Sequence, residues 1–372
     1  MMGNKPIEQA ALPVIPEHIS KRITSLRYVL ACLVVMFHNN KTLLFIAEPD
    51  GLSFGNPQFL GHLLQFCFQY IFTLAPVPLF FIFSSYILEK KNYPYLVMLK
   101  KKNRSLLLPL ILWPAAVIGI RILAKLALIL VFPDKVSHEL PFISEWNLRD
   151  WFCAFFGYYF PSYKSPVLCE PFILPLYFIR DLLILDVISP LIRKAVKCCP
   201  IPYALVLAAV FFFSIRPVIV CVNALVFYSI GIYFAQRDFD FFAFADKVSW
   251  KQILFFSVFS LGIFIFEKKL ECAILLSCII LLKISKIIAE SSEKTFSIFA
   301  YLSGYSFFLY AVHGAYFLMF ATKTWFKFVP ANYATDFLEY FLLAPLVCLS
   351  GTILGIVLKK ICPKLFYIFN GR

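Results

Sequence analysis

Ten mostly apolar stretches, separated by short polar segments, run the length of the chain. The first spans Tyr28 to about Ala47, and the others lie near 64–88, 105–132, 172–192, 202–215, 217–235, 251–267, 270–288, 298–321 and 337–360. Each approaches or exceeds the ~17–25 residues an α-helix needs to cross a hydrocarbon core, with 202–215 and 251–267 marginal. The pattern predicts an all-α fold, a polytopic transmembrane helical bundle of about ten spans. The first run follows Lys21, Arg22 and Arg27. It is too long for a signal-peptide core and lacks a small-residue cleavage site, so it reads as an uncleaved span.

Basic residues cluster between the runs, as at Lys90, Lys91, Lys100, Lys101, Lys102 and Arg104. With the amino terminus inside, the start of the chain, 89–104, 193–201, 236–251, 283–297 and the tail hold most of the 35 Lys and Arg. The positive-inside rule favours that orientation, and an even number of spans returns Lys359, Lys360 and Lys364 to the cytoplasm. The expected division is a cytoplasmic segment 1–26, a transmembrane domain 27–362 and a cytoplasmic tail 363–372, with both termini inside. One outer connection is long, about 132–171, and carries Trp146, Trp151, Tyr158, Tyr159 and Tyr163. Such aromatic density suits a loop lying in the interface, with a re-entrant or lateral helix near 148–160.

Composition agrees. The chain is 61% hydrophobic and 15% charged, with a mean hydropathy of +0.81 and 44 Phe, against roughly 25% charged residues in soluble domains. The net charge of +14 could suggest a nucleic-acid binder, but its confinement to loops beside apolar runs points to membrane anchoring and no nucleic-acid partner. The 11 cysteines show no CxxC pair and no metal-ligand spacing, so no metal is expected. Most read as small lipid- or core-facing residues. Cys198 and Cys199 sit in a basic loop where palmitoylation is conceivable chemistry.

Ionisable side chains at membrane depth are costly and by default mark a site. His38 falls in the middle-to-outer part of the first run and His313 inside the ninth. Arg180 and Asp181 lie in the fourth, followed by Asp186. Arg121 and Lys125 lie four residues apart in the third, on one helical face, where snorkelling is as good an account as function.

At these residues the chain resembles the acyltransferase-3 family, the integral-membrane O-acyltransferases that acetylate surface glycans. Four segments carry the resemblance, in order and across nearly the whole chain. The first is Arg27 through His38, an Arg separated by ten residues from a His at the start of the first span. The second is Pro78 through Tyr86 with Ser84–Ser85–Tyr86, then Lys101–Lys102–Asn103–Arg104 and Leu108–Pro109. The third is Leu176–Tyr177–Phe178–Ile179–Arg180–Asp181–Leu182, and the fourth runs from Tyr305–Ser306 through Tyr310 to His313. Ser85 stands for the family's usual Gly, Lys101 for the first Arg of a basic pair, and Tyr177 for a Trp. The chain looks like the stand-alone form, without the soluble esterase-like domain that some members append.

The resemblance implies that 27–362 is an acyltransferase domain. It also implies that the chain is an enzyme moving an acetyl group from cytoplasmic acetyl-CoA to a hydroxyl of a surface glycan or lipid-linked sugar, with no permanently bound cofactor. The cell would be bacterial, and the protein multi-pass in its cytoplasmic membrane. His38, with Arg27, would be catalytic, since imidazole titrates near neutrality and can serve as a general base or be transiently acylated. Arg27, Lys101 and Arg104 would bind the donor's phosphates. Arg180, Asp181, Tyr310, His313, Ser85 and Tyr86 would support the site or bind substrate. Eleven residues at 1.5 Å rise put Arg27 and His38 about 16 Å apart, a span that an elongated donor could bridge. A secondary transporter, or a non-enzymatic scaffold or exporter component for envelope polysaccharide, would also place ionisable residues in the membrane. The repeated halves common in transporters are not apparent here.

Overall fold

The computed structural model describes residues 15–39, 59–131, 146–160, 167–169, 172–213, 215, 220–267, 269–330 and 332–372. The eight residues 40–47 of the first apolar run and most of 132–171 lie outside the described residues. Helices occupy every one of the ten stretches where they are described. They are α1 Glu17–His38, α2 Phe59–Phe68, α3 Pro76–Lys91, α4 Tyr95–Lys102, α5 Leu108–Val131, α6 Leu148–Phe156, α7 Tyr177–Cys198, α8 Pro200–Phe212 and α9 Val222–Gln236. There follow α10 Phe241–Lys247, α11 Trp250–Glu267, α12 Glu271–Ala289, α13 Glu293–Ser303, α14 Ser306–Val312, α15 Leu318–Phe328, α16 Tyr333–Leu338, α17 Ala344–Ile361 and α18 Pro363–Phe369. Wider π-helical turns at Gln69–Thr73, Asn103–Leu107, His313–Phe317 and Glu339–Leu343 interrupt the apolar segments.

Among the described residues, four helical segments are long and apolar enough to cross a membrane alone: Leu63–Lys91, Tyr95–Val131, Glu271–Ala289 and Glu339–Ile361. Two bent pairs raise that to six, and Val222–Gln236 and Trp250–Phe264 are apolar but shorter. One bend, of 118°, separates Leu174–Cys198 from Pro200–Phe212. Cys199 there leaves helical geometry, as a residue before proline prefers to do. The surface is that of a membrane protein. On α5, Ile120 is 65% exposed, Leu123 67% and Leu130 84%, apolar surface that only lipid covers comfortably.

The fold departs from pure helix at one place among the described residues. Tyr158–Phe160 and Val167–Cys169 pair antiparallel, Tyr158 opposite Cys169, just after α6. That helix lies within the expected 148–160 stretch, and Asn147 and Asp150 start it with a reciprocal capping box. Cys153 on α6 is disulfide-bonded, a correction to the expectation that the cysteines are packing residues.

The first helix begins earlier than its apolar run. Residues 17–26, expected as a segment before the bundle, are the first turns of α1, with Ile19, Ile23 and Leu26 buried. Arg22 is buried too, held bidentately by Asp246 at 2.6 and 2.9 Å, by Ser285 Oγ at 2.8 Å, and by the Phe242 ring face at 4.4 Å. This satisfaction lets a cation sit inside the body. α1 is the central helix, packed by α3, α12, α13, α14 and α17. The closest interface joins α3 to α9. A Cβ on Gly231 would fall 2.0 Å from Ser85 Oγ and 2.5 Å from the Ile82 carbonyl, so the approach requires glycine.

The Lys90–Asp238, Arg193–Glu89 and Arg22–Asp246 pairs gather the loop-side ends of α1, α3, α7, α9 and α10 at one basic pole. His38, α6 and the starts of α7 and α9 lie toward the other.

Candidate active site

The two ends of one stretch of α1 mark two chemically different places. At the far end, His38 is the last residue of α1 rather than a mid-helix residue. Its ring lies 5.4 Å, centroid to centroid, from that of His313. His313 is 2% exposed and opens the π-helical turn after α14. Its Nδ1 is 3.2 Å from the Leu309 carbonyl, and its buried Nε2 has no hydrogen-bond partner among the described residues. A buried imidazole nitrogen can hydrogen-bond a polar ligand atom. Tyr310 packs against His313 at 5.8 Å and donates its hydroxyl hydrogen to the Pro175 carbonyl. Gly314 permits this closeness, since a Cβ there would meet the Pro175 ring at 2.6 Å. The structure therefore unites His38, Tyr310 and His313, from separate parts of the sequence.

Beside His38 stands a polar group that the sequence reading missed. Asn39 Nδ2 donates to Glu339 Oε2 at 3.1 Å, and Thr322 Oγ1 donates to Glu339 Oε1 at 3.0 Å. Glu339 is 2% exposed. Its signal was available: it is the lone acid within the apolar stretch 337–360. It went unread because it sits near the end of that stretch, where a charge is unremarkable.

Eleven residues back along α1, Arg27 lines a cavity of about 430 Å³ at the basic pole. Phe80, Phe83, Ile87, Leu88 and Met98 supply its apolar wall, and Lys91, Lys101 and Lys102 join Arg27 as its charged lining. No carboxylate is among the described residues that line it. Lys101 Nζ lies 3.6 Å over the Tyr93 ring, and its ammonium holds the Tyr93 phenol below the ordinary phenol range. Three cations with no carboxylate partner among the described residues, Arg27, Lys91 and Lys101, beside the paired Lys102, fit a polyanion carrying an apolar body. Arg27 and Lys101 are thus together, as expected of donor-binding residues.

Arg104 is not with them. It is exposed, and its Nη2 reaches the Arg372 carbonyl at 3.4 Å. Lys102 takes the cavity position instead. Its Nζ pairs at 2.9 Å with Asp186 Oδ2, and Tyr228 donates to Asp186 Oδ1 at 2.7 Å. Asp186 is fully buried, so the pair ties the cavity wall to the interior of α7.

The remaining predicted residues pack or brace. Ser85 turns its hydroxyl back onto the Phe81 carbonyl at 2.9 Å and faces Gly231, which accommodates a serine in place of the family's glycine. Tyr86 is 1% exposed with its ring edge-on to Phe241. Arg180 spends Nε and Nη2 on Asp181 Oδ1 and Nη1 on the Phe156 and Gly157 carbonyls at 3.0 and 2.7 Å. Asp181 Oδ2 accepts from the Cys221 backbone N–H at 2.9 Å. This pair staples the outer loop and the start of α9 onto α7. Arg121 lies 5.2 Å from the Phe172 ring, a further brace between α5 and that loop.

A family model described as "Acyltransferase domain" matches residues 21–360, which hold His38, Tyr310, His313, Glu339 and every residue lining the cavity. No curated protein and no solved structure matches the chain. The matched stretch takes in both the histidine pair and the cationic cavity, and the chain belongs to the acyltransferase-3 family, as a membrane acyltransferase.

Proposed function

We propose that the chain transfers an acetyl group from cytoplasmic acetyl-CoA to a hydroxyl of a surface glycan or lipid-linked sugar. The observation that carries this reading is the layout along α1. A cationic cavity sits at Arg27, and a pair of buried or half-buried imidazoles sits about 16 Å farther along the helix. Coenzyme A has the matching shape, with phosphates and a base at one end and the thioester at the end of a long arm. The cavity would hold the nucleotide end through Arg27, Lys91, Lys101 and Lys102, and the arm would follow α1 to His38.

There His38 takes the proton from the acceptor hydroxyl as its oxygen attacks the thioester carbonyl. The C–S bond breaks, and the departing thiolate receives the proton that His38 carries. The His313 ring lies 5.4 Å from that of His38, and its Nε2 would hydrogen-bond the acceptor hydroxyl or the carbonyl oxygen. Arg180 and Asp181 support the site by holding the loop above it.

Two independent features favour placing the basic pole in the cytoplasm of a bacterial cell, with the protein multi-pass in the cytoplasmic membrane and both termini inside. One is the Lys and Arg bias itself. The other is the disulfide of Cys153 at the opposite pole, a bond that persists in oxidising compartments and rarely in cytosol.

The test is transfer of radiolabelled acetyl from acetyl-CoA to envelope glycans in membranes carrying wild type or His38→Ala. Wild type incorporates label, and inserted, folded His38→Ala loses at least about a hundredfold, the usual scale of a general base. Equal incorporation in both would remove His38 from the mechanism. No incorporation by wild type across several glycan acceptors would overturn the assignment.

A further inference from the structure

The cationic cavity has two unlike ends. Phe80 and Lys91 both line it, and they stand eleven residues apart on α3, about 16 Å at the α-helical rise. Toward Phe80 the surroundings are aromatic and lead to the histidines. The Phe80 ring lies 5.8 Å from that of Phe178, Phe178 lies 5.7 Å from Tyr310, and Tyr310 lies 5.8 Å from His313. Toward Lys91 the lining turns cationic, with Lys101 and Lys102 contributed by α4. An elongated thioester donor seated here would carry its reacting end toward Phe80 and its phosphates toward Lys91.

Tyr93 stands at the cationic end, in the short connection between α3 and α4, and lines the cavity. That connection fixes where it sits. Asn92 ends α3 in the left-handed conformation at φ 42°, its N–H bonded to the Glu89 carbonyl at 3.1 Å, a conformation that Asn adopts more readily than most residues. Pro94 follows, and a residue before proline is steered away from helical geometry, so Tyr93 lies outside both helices. Its ring is half-buried, and Lys101 Nζ lies 3.6 Å from the ring centroid. An aromatic face held beside ammonium groups offers what a nucleotide needs, a stacking surface for the base and charge for its phosphates. Inorganic phosphate or an acidic headgroup would use the lysines alone.

We infer that Tyr93 is the base-recognition residue of the donor site, its ring stacking on the adenine of coenzyme A while Lys91 and Lys101 meet the phosphates. The inference rests on the acetyl-CoA reading above and adds to it a subsite that selects an adenine nucleotide over a shorter thioester. Tyr93 belongs to none of the four segments that carry the family resemblance, so only the cavity marks it.

The experiment measures kcat and KM for acetyl-CoA and for S-acetyl-4′-phosphopantetheine, which has the same thioester arm and lacks the adenosine. The full chain in membranes is compared as wild type, Tyr93→Leu, Tyr93→Phe, Lys101→Met and the Tyr93→Leu, Lys101→Met double variant. Tyr93 is a half-buried loop residue, so its replacement keeps the fold, which melting in detergent checks. Loss of stacking on one base raises the KM of Tyr93→Leu for acetyl-CoA about tenfold, while kcat and the KM for the shorter donor hold. Tyr93→Phe keeps the ring and stays near wild type. Tyr93→Leu raises KM by a similar factor in the Lys101→Met background, because the ring acts on the base and not through the lysine. Equal KM rises with both donors, or no rise with either, would overturn the inference and leave the donor reading standing. So would a wild type with the same KM for both donors, or an effect that disappears in the Lys101→Met background. A wild type that transfers nothing from acetyl-CoA would remove the donor reading itself.

Discussion

Lys102 and Asp186 are partners of unequal exposure, with the lysine side chain 19% exposed and the aspartate at 0%. A buried carboxylate is tolerated only while its partners satisfy it, so removing one side costs more than removing both. Lys102→Met should destabilise the protein by about 3–5 kcal/mol, because Asp186 keeps only the Tyr228 hydroxyl and a more distant Arg193. Lys102→Met with Asp186→Leu should recover much of that loss, read as melting temperature in detergent, while KM for acetyl-CoA stays raised in both. Equal melting losses in the single and double variants would show the pair to be worth little. The residues of this pair were visible in the sequence, one in a basic stretch and one in an apolar run, but their partnership was not. Helical periodicity puts Lys101 and Arg104 on one face. The π-helical turn at Asn103–Leu107 breaks that periodicity between them, leaving Lys101 and Lys102 in the cavity lining and Arg104 outside it, toward the Arg372 carbonyl. By contrast His38 and His313 stand out in the sequence, because ionisable side chains in apolar runs must be accounted for, whereas Tyr310 is marked only by the family resemblance.

At the scale of elements, the apolar runs foretold where helices form, since a backbone in lipid must satisfy its own hydrogen bonds. They foretold less about where helices start and break. The first run begins at Tyr28, yet α1 begins at Glu17, because Arg22 finds Asp246 and the Phe242 ring on α10 and Ser285 on α12, two elements distant in sequence. The outer hairpin after α6 escaped for a related reason. Its aromatic residues read equally well as an interfacial helix, and the pairing of Tyr158 with Cys169 is a contact that no local pattern carries. The α3–α9 interface yields the sharpest test at this scale. Gly231→Val would drive side-chain carbons into Ser85 Oγ and the Ile82 carbonyl. Overpacking of this kind costs about 1–3 kcal/mol or more, so folded protein recovered in detergent should fall. Gly119→Ala, with nothing within 4 Å of its Cβ, should leave the yield intact. Comparable yields for the two would contradict the close packing described for this interface.

For the whole molecule, charge and redox chemistry sort the two poles independently. Cys198 and Cys199 are exposed, free and close to the basic residues Arg193, Lys194 and Lys197. A membrane-impermeant maleimide should therefore label them in inverted vesicles and not in intact spheroplasts. Labelling from the spheroplast exterior would reverse the orientation and place the cationic cavity on the wrong side for cytoplasmic acetyl-CoA. That cavity and the histidine pair are joined by one helix, so the account stands or falls on acetyl groups passing from one pole to the other. The most direct measurement supplies labelled acetyl-CoA to one face of sealed vesicles of each orientation, with the glycan acceptor present at the opposite face. The account predicts label on the acceptor only when acetyl-CoA meets the basic pole, and its loss in inserted His38→Ala. Label that appears from either face alike, or that persists in His38→Ala, would contradict it.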